Sequence, residues 1–515
     1  MQCGGRWATR RLHTWRHRAL LMPLSSVCVV RTRSYKTLTT ADIDHFRSIF
    51  GDESSNGIVS EKEDLERYNT DWTRHWKGKS GLVLRPATVQ QTAAILQYCH
   101  QEKLAVVPQA GNTGLVGGSV AVRDEIVVTT ERLNQIHSLD ATTGLLKCQA
   151  GCVLQELQEY CSSKGHLVPI DLGAKGSCFI GGNVSTAAGG QYFYRYGSMS
   201  ANVLGLEVVT GTGQVLNLNY SPQPHLKDNT GYKLHQLFIG AEGTLGIVTG
   251  VALKCPRLPL SRQASLLACA SYSNVLQVLD AAKIALGETL AALEFMDETV
   301  IRLVDEQYPV PVKTEDGSFY PYYVLVETHG ACAEHDGAKM EAFLEGCMTD
   351  GYVTNGVLAQ DLSQLQSFWK IRESANPAVA ATGYTYKYDI SLAISDFEDW
   401  NREMQELLSG LNVLQTNWGH VMDGNLHFNV TTPGIFEKDS AVLERLEPAL
   451  FDAVIRRGGS ISAEHGLGQS KNGYLTKIHD DEKIETMRSI KALFDPNHIL
   501  NPYKFLPANR TATIS

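Results

Sequence analysis

PQAGNTGLVGGS, residues 108–119, is the stretch on which the reading of this chain turns. Gly111, Gly114, Gly117 and Gly118 crowd together there, after a short β-rich run, Ala105–Val107, and before a second, Glu125–Thr129. Without side chains, successive backbone N–H groups can converge into a concavity that holds phosphate oxygens and needs no lysine. Neither the GxGxxG nor the GxxxxGK[ST] spacing is present, so a plain Rossmann or P-loop reading fails. Two later loops repeat the glycine density: PIDLGAKGSCFIGGNVSTAAGG, residues 169–190, and IGAEGTLGIVT, residues 239–249. One such loop reads as a tight turn; three in close succession point to a site.

Outward from these loops, helical stretches such as Thr88–Glu102 alternate with short strands, including Leu206–Val209, from about Thr37 to Leu258. That alternation predicts an α/β domain over residues 37–258. CPRLPL, with Pro256 and Pro259, reads as a linker into a second domain, residues 259–460, where strands and amphipathic helices alternate again. Tyr308–Tyr322 fits an exposed excursion, with YYVLVET resuming as a buried strand. Residues 461–515 form a C-terminal segment: a glycine-rich turn, a helix around Asp481–Phe494, and a DPNHILNPYKFLP tail whose prolines stop it.

A chain of 515 residues with 43% hydrophobic and 20% charged content is long enough for two or more globular cores. It has no apolar stretch long enough to span a bilayer. The first 36 residues contain eight basic residues and no acid, the composition of a mitochondrial import segment. A secretory reading would use the apolar run Ala19–Val30, but Pro23 and two serines interrupt it and arginines lie on both sides. Without that segment the 46 basic residues fall to 38 against 55 acids, a charge near −17 that disfavours nucleic acid. The 11 cysteines are scattered with no CxxC pair, which fits free thiols in a reducing matrix rather than a disulfide framework or a cysteine-built zinc site.

In GHVMDGNLHFNV, residues 419–430, the alternation predicts a strand with Asn425, His427 and Asn429 on one face. His420 precedes it across a loop carrying Asp423 and Gly424, which could bring both imidazoles onto one ion. Farther on, SAEHGLG sets Glu464 beside His465. Two imidazoles and a carboxylate suit Zn2+ or a similar divalent metal and leave open positions for substrate. A 2-hydroxy acid could chelate such an ion, which lowers the alcohol's pKa, while neutral His465 takes the hydroxyl proton and hydride leaves the α-carbon. Asn429 could hold a substrate carboxylate.

Together the three loops resemble the FAD-binding domain of the vanillyl-alcohol oxidase type, the PCMH fold. The resemblance implies an α+β chain: a two-subdomain PCMH-type domain, a substrate domain with a mainly antiparallel sheet, and a small helical C-terminal segment. It places Gly111, Asn112, Thr113, Gly114 and Gly118 along the diphosphate and Gly176, Ser177, Gly181, Gly182 and Asn183 beside the cofactor. Ile247 contributes backbone contacts on the same basis. The diphosphate loop has no histidine to tether FAD, which implies a non-covalent cofactor.

The GH...DGN.H and EHG patterns are similar to those of FAD-dependent D-2-hydroxy-acid dehydrogenases, and the likeness covers nearly all of the chain after residue 36. WKIRESANPAVAATGYTYKYDIS, residues 369–391, resembles the D-2-hydroxyglutarate branch of that family. By that resemblance Arg372 and Lys387 grip the distal carboxylate of the substrate. Asn376 stands where the branch usually has threonine. The resemblance also implies electron transfer flavoprotein as electron acceptor. A mitochondrial D-lactate dehydrogenase, or a flavin-carrying electron relay without substrate turnover, stay open as alternatives. The oligomeric state stays open too, a dimer included.

Overall fold

The computed structural model describes residues 35–507, so all but the last two residues of the expected import segment lie outside the described residues. Residues 35–507 fall within one compact unit.

Two sheets build the N-terminal half. Val83–Leu84, Ile126–Thr129 and Val106–Gln109 pair in parallel, with Ile58–Val59 antiparallel at one edge. The helix Val89–Glu102 connects two of these strands. It starts where the Thr88 hydroxyl accepts from the Gln91 N–H and ends at left-handed Lys103. A five-stranded antiparallel sheet follows, in the order Ile136–Asp140, Leu145–Gln149, Gly246–Lys254, Val203–Thr210 and Val215–Leu218.

A seven-stranded, wholly antiparallel sheet organises the second half. Period-two alternation gives it two buried faces. Leu293, Phe295, Phe428 and Val430 pack under the helices Tyr272–Leu286, Phe397–Leu408 and Ser440–Arg456. Ala292, Met296, Leu325 and Trp418 pack under Glu298–Asp305, Leu362–Glu373 and Ala375–Thr382. Fully buried side chains such as Phe428 contribute roughly 1.5–3 kcal/mol each through water exclusion. His427 lies on the second of these faces, because it pairs directly with Trp418.

The C-terminal helix Asp481–Phe494 runs where the sequence placed it, capped by Asp480. The tail then crosses back to the N-terminal half, where Ile499 and Leu500 complete the core around Val106 and Ile126. All cysteines among the described residues are free. No helix among the described residues is long and apolar enough to cross a membrane.

Candidate active site

A cavity of about 660 Å³ opens between the glycine loops and the second face of the seven-stranded sheet. Gly111, Asn112, Thr113, Gly114, Gly118, Gly176, Ser177, Gly181, Gly182, Asn183 and Ile247 all line it. Two features of the loops fit a dinucleotide. A Cβ on Gly111 would lie 2.1 Å from the Ser177 carbonyl oxygen, and one on Gly181 would lie 2.5 Å from the Ala150 Cβ, so these glycines let the loops cross closely. None of the backbone N–H groups from Gly111 to Ser119 donates to a protein acceptor among the described residues. A row of amides along the cavity wall that turns from every protein acceptor is shaped for an anionic ligand.

Asn112 plays a different part from its neighbours. Its backbone is left-handed, with φ 55°. Its side-chain amide donates to the Thr70 carbonyl at 2.8 Å, and its side-chain oxygen accepts from the Ser119 hydroxyl at 2.7 Å. The side chain thus ties the loop to its surroundings and leaves only the backbone to face the cavity.

At the other end of the cavity His420, His427, Glu464 and His465 come together. His420 ends the strand Leu414–His420, and a tight turn through Asp423 and Gly424 joins it to the strand Asn425–Pro433. The donor atoms of His420, His427 and Glu464 lie within 4.8 Å of one another. Glu464 is held by the Gly190 N–H at 2.8 Å, and its Oε1 lies 4.0 Å from His420 Nε2. His420 Nδ1 faces Glu294 Oε1 at 2.6 Å, an arrangement in which a carboxylate orients a ligating imidazole from behind. Two imidazoles and one carboxylate, so oriented, fit a divalent metal of the zinc type.

Glu294 and Asp389 are the residues that sequence reasoning missed. Glu294, fully buried in the strand Leu290–Asp297, also pairs with Arg372 Nε at 2.8 Å. Burial would raise its carboxyl, but His420 and Arg372 outweigh that and bring it down to about 2. Its signal was a carboxylate inside the apolar run LAALEFMD. Asp389 accepts from the Glu464 and His465 backbone N–H groups at 2.8 Å each, and from Asn425 Nδ2 at 2.7 Å. It lies 3.8 Å from both His427 Nδ1 and His465 Nδ1. Asp389, His427 and His465 form a second possible ligand trio, but the oxygens of Asp389 already accept these three N–H donors. Asp389 therefore organises the EHG turn.

Burial lowers the His465 imidazole against the opposing pull of Asp389, so its neutral form is favoured. Burial raises Glu464, with His420 acting in the opposite direction. The His427 and His465 rings lie parallel, 5.9 Å apart.

Arg372 and Asn376 line the cavity; Lys387 and Asn429 do not. These two form a cross-strand pair beside the Asp389–His427 pair on the same face. Asn429 donates to the His427 carbonyl at 3.3 Å. Burial pulls the Lys387 ammonium below its ordinary range, with Asp71 opposing. Among the described residues it makes no hydrogen bond or ion pair, and lies 5.8 Å from the centre of the Trp72 ring. Trp72, 62% exposed, lines the cavity in front of it.

Residues 81–219 match an FAD binding domain, and residues 258–505 match the C-terminal domain of FAD linked oxidases. The D-2-hydroxyglutarate dehydrogenase, mitochondrial, of Danio rerio is 43% identical over 92% of this chain and 87% of its own length. The chain belongs to the FAD-linked oxidase family. It is an FAD-dependent oxidoreductase. A D-2-hydroxyglutarate–pyruvate transhydrogenase of Saccharomyces cerevisiae is 38% identical over 93% of this chain and 97% of its own. Among solved structures, p-cresol methylhydroxylase covers 92% of this chain and 98% of its own at 14% identity, with a TM-score of 0.73. At that identity the likeness is one of fold, the PCMH-type arrangement read from the glycine loops.

Proposed function

We propose that this chain oxidises (R)-2-hydroxyglutarate to 2-oxoglutarate in the mitochondrial matrix and passes the electrons to electron transfer flavoprotein. The observation that carries the substrate is Arg372 on the cavity wall, with the desolvated Lys387 set behind Trp72 and without an ion pair among the described residues. A dicarboxylate needs such cations at its far end, and a three-carbon hydroxy acid does not. The D-2-hydroxyglutarate dehydrogenase, mitochondrial, of Danio rerio supports the substrate and the mitochondrion.

The glycine loops would hold FAD non-covalently, and when bound it would supply the hydride acceptor. His420, His427 and Glu464 would hold a divalent metal, which when bound would supply Lewis acidity toward the substrate hydroxyl. The chain's own residues do the rest. His465, fixed by its backbone bond to Asp389, takes the hydroxyl proton on its imidazole. Arg372 keeps its guanidinium oriented through Glu294 and offers its remaining N–H groups to the distal carboxylate. Lys387 supplies the second cation, Asn376 a hydrogen bond in place of threonine, and Asn429 a polar contact beside His427.

Steady-state oxidation of D- and L-2-hydroxyglutarate and of D-lactate, with a dye as acceptor, tests the assignment. D-2-hydroxyglutarate should give the highest kcat/KM, and purified electron transfer flavoprotein should replace the dye. Preference for D-lactate would move the assignment to the three-carbon acid. Inactivity on all three acids with FAD and metal bound would favour an electron relay.

A further inference from the structure

The unpaired amide row of the first glycine loop has a counterpart behind it. On the side away from the cavity, residues from the C-terminal segment hold the loop's carbonyls one after another. The Gln469 backbone N–H donates to the Val116 carbonyl at 2.9 Å. The Gln469 side chain donates to the Gly117 carbonyl at 2.8 Å and the Val120 carbonyl at 3.1 Å. Lys504 Nζ donates to the Gly118 carbonyl at 2.9 Å, and Asn501 Nδ2 reaches the same oxygen at 3.2 Å. Asn501 also donates to the Glu242 carbonyl at 2.7 Å and accepts from Lys504 at 2.8 Å. Lys504 and Asn501 are 3% and 2% exposed, and Lys504 does not line the cavity.

In a trans peptide the C=O and the next N–H point in opposite directions. Drawing back the carbonyls of Val116, Gly117 and Gly118 therefore turns the N–H groups of Gly117, Gly118 and Ser119 the other way, toward the cavity that Gly118 and Ser119 line. A glycine loop is free to rotate these peptides, and an anion nest with rotated peptides presents oxygens instead of hydrogens. We infer that Lys504, with Asn501 and Gln469, is a positioning residue for the cofactor: the C-terminal tail clamps the carbonyls of residues 116–118 and so aims the loop's amides at the FAD diphosphate.

The inference rests on the diphosphate lying in this cavity, and the control below tests that separately. Burial pulls the Lys504 amine down to about 7 against the opposing pull of two buried carboxylates, Glu125 and Glu242, and its hydrogen bonds to the Gly118 carbonyl and Asn501 fix it in place. The sequence separation from Gly118 is 386 residues, so the clamp forms only when the C-terminal segment has docked on the N-terminal half.

The experiment strips FAD from the full-length protein and titrates it back, following flavin fluorescence, in wild type, Lys504→Met, Gln469→Leu and Gly111→Ala. Melting of each apoprotein reports folding. Loss of one buried bond in the clamp, which takes a partner from the Gly118 carbonyl, should weaken FAD binding roughly 10- to 100-fold in Lys504→Met. The same variant should lose ADP affinity in parallel, because ADP carries the diphosphate, while the apoprotein melts within a few degrees of wild type. Gln469→Leu should weaken FAD several-fold in the same manner. A purely structural role would lower apoprotein melting and leave the dissociation constants unchanged, overturning the inference. If Lys504→Met fails to fold, Gln469→Leu decides alone, and wild-type FAD affinity there overturns it. Gly111→Ala keeps the two questions apart: if it binds FAD normally, the cavity is not the diphosphate site. If only Gly111→Ala loses FAD, the cavity stands and the clamp falls.

Discussion

Replacing Lys387 with methionine should divide the five-carbon from the three-carbon substrate. Methionine keeps much of the volume beside Trp72 and Asn429 and removes the charge. Lys387 is desolvated and has no ion pair among the described residues, so its cost in the free enzyme is recovered only when a carboxylate arrives. A buried carboxylate that loses such a partner loses about 2–4 kcal/mol, which lowers kcat/KM for D-2-hydroxyglutarate roughly 30- to 1,000-fold. D-lactate has no distal acid, so its kcat/KM should stay within about threefold of wild type. The free enzyme should respond in the opposite sense. A lysine whose folded pKa lies below 10.5 costs stability at all pH values below that folded pKa, and the cost disappears above 10.5. The Lys387→Met apoenzyme should therefore melt at the same temperature as wild type or higher at pH 7. Steady-state kinetics on both acids, with a melting curve, is the assay. Equal losses on both substrates, or an unchanged rate on the five-carbon acid, would refute the reasoning.

Gly111→Ala should yield protein without bound flavin, seen as loss of absorbance near 450 nm, because its Cβ would overlap the Ser177 carbonyl oxygen. His427→Ala and Glu464→Gln should lose metal, measured by elemental analysis, and turnover with it, while FAD stays bound at the far end of the cavity. Asp297, half-buried beside Asn417, is raised to about 6 by desolvation against the hydrogen bonds it accepts. The extra stability of its protonated form is fully present below its ordinary 3.8 and is lost as pH rises through about 6. Urea unfolding between pH 4 and 8 should show that slope in wild type, and Asp297→Asn should flatten it.

The glycine loops were legible because backbone convergence needs a composition that little else requires. The strand through His427 was legible from alternation alone. Arg372 and Asn376 came from resemblance, and both line the cavity. Glu294 stayed hidden because a carboxylate in an apolar strand shows its role only when the partners from other strands are in place. His420 and Arg372 stand 126 and 78 residues away from it in the sequence. Asp389 was visible as a letter in YKYD, but its hold on the EHG turn spans 75 residues. The return of Asn501 and Lys504 to the first loop could not be read at all, since nothing local marks where a tail docks.

Anaerobic mixing of the FAD-bound enzyme with each enantiomer of 2-hydroxyglutarate and of lactate, with and without prior chelation, tests the central claim most directly. The account predicts rapid bleaching of the flavin by D-2-hydroxyglutarate, slow or no bleaching by the other acids, and loss of the fast phase after chelation. Fast bleaching that survives complete removal of metal, or that prefers D-lactate, would contradict it.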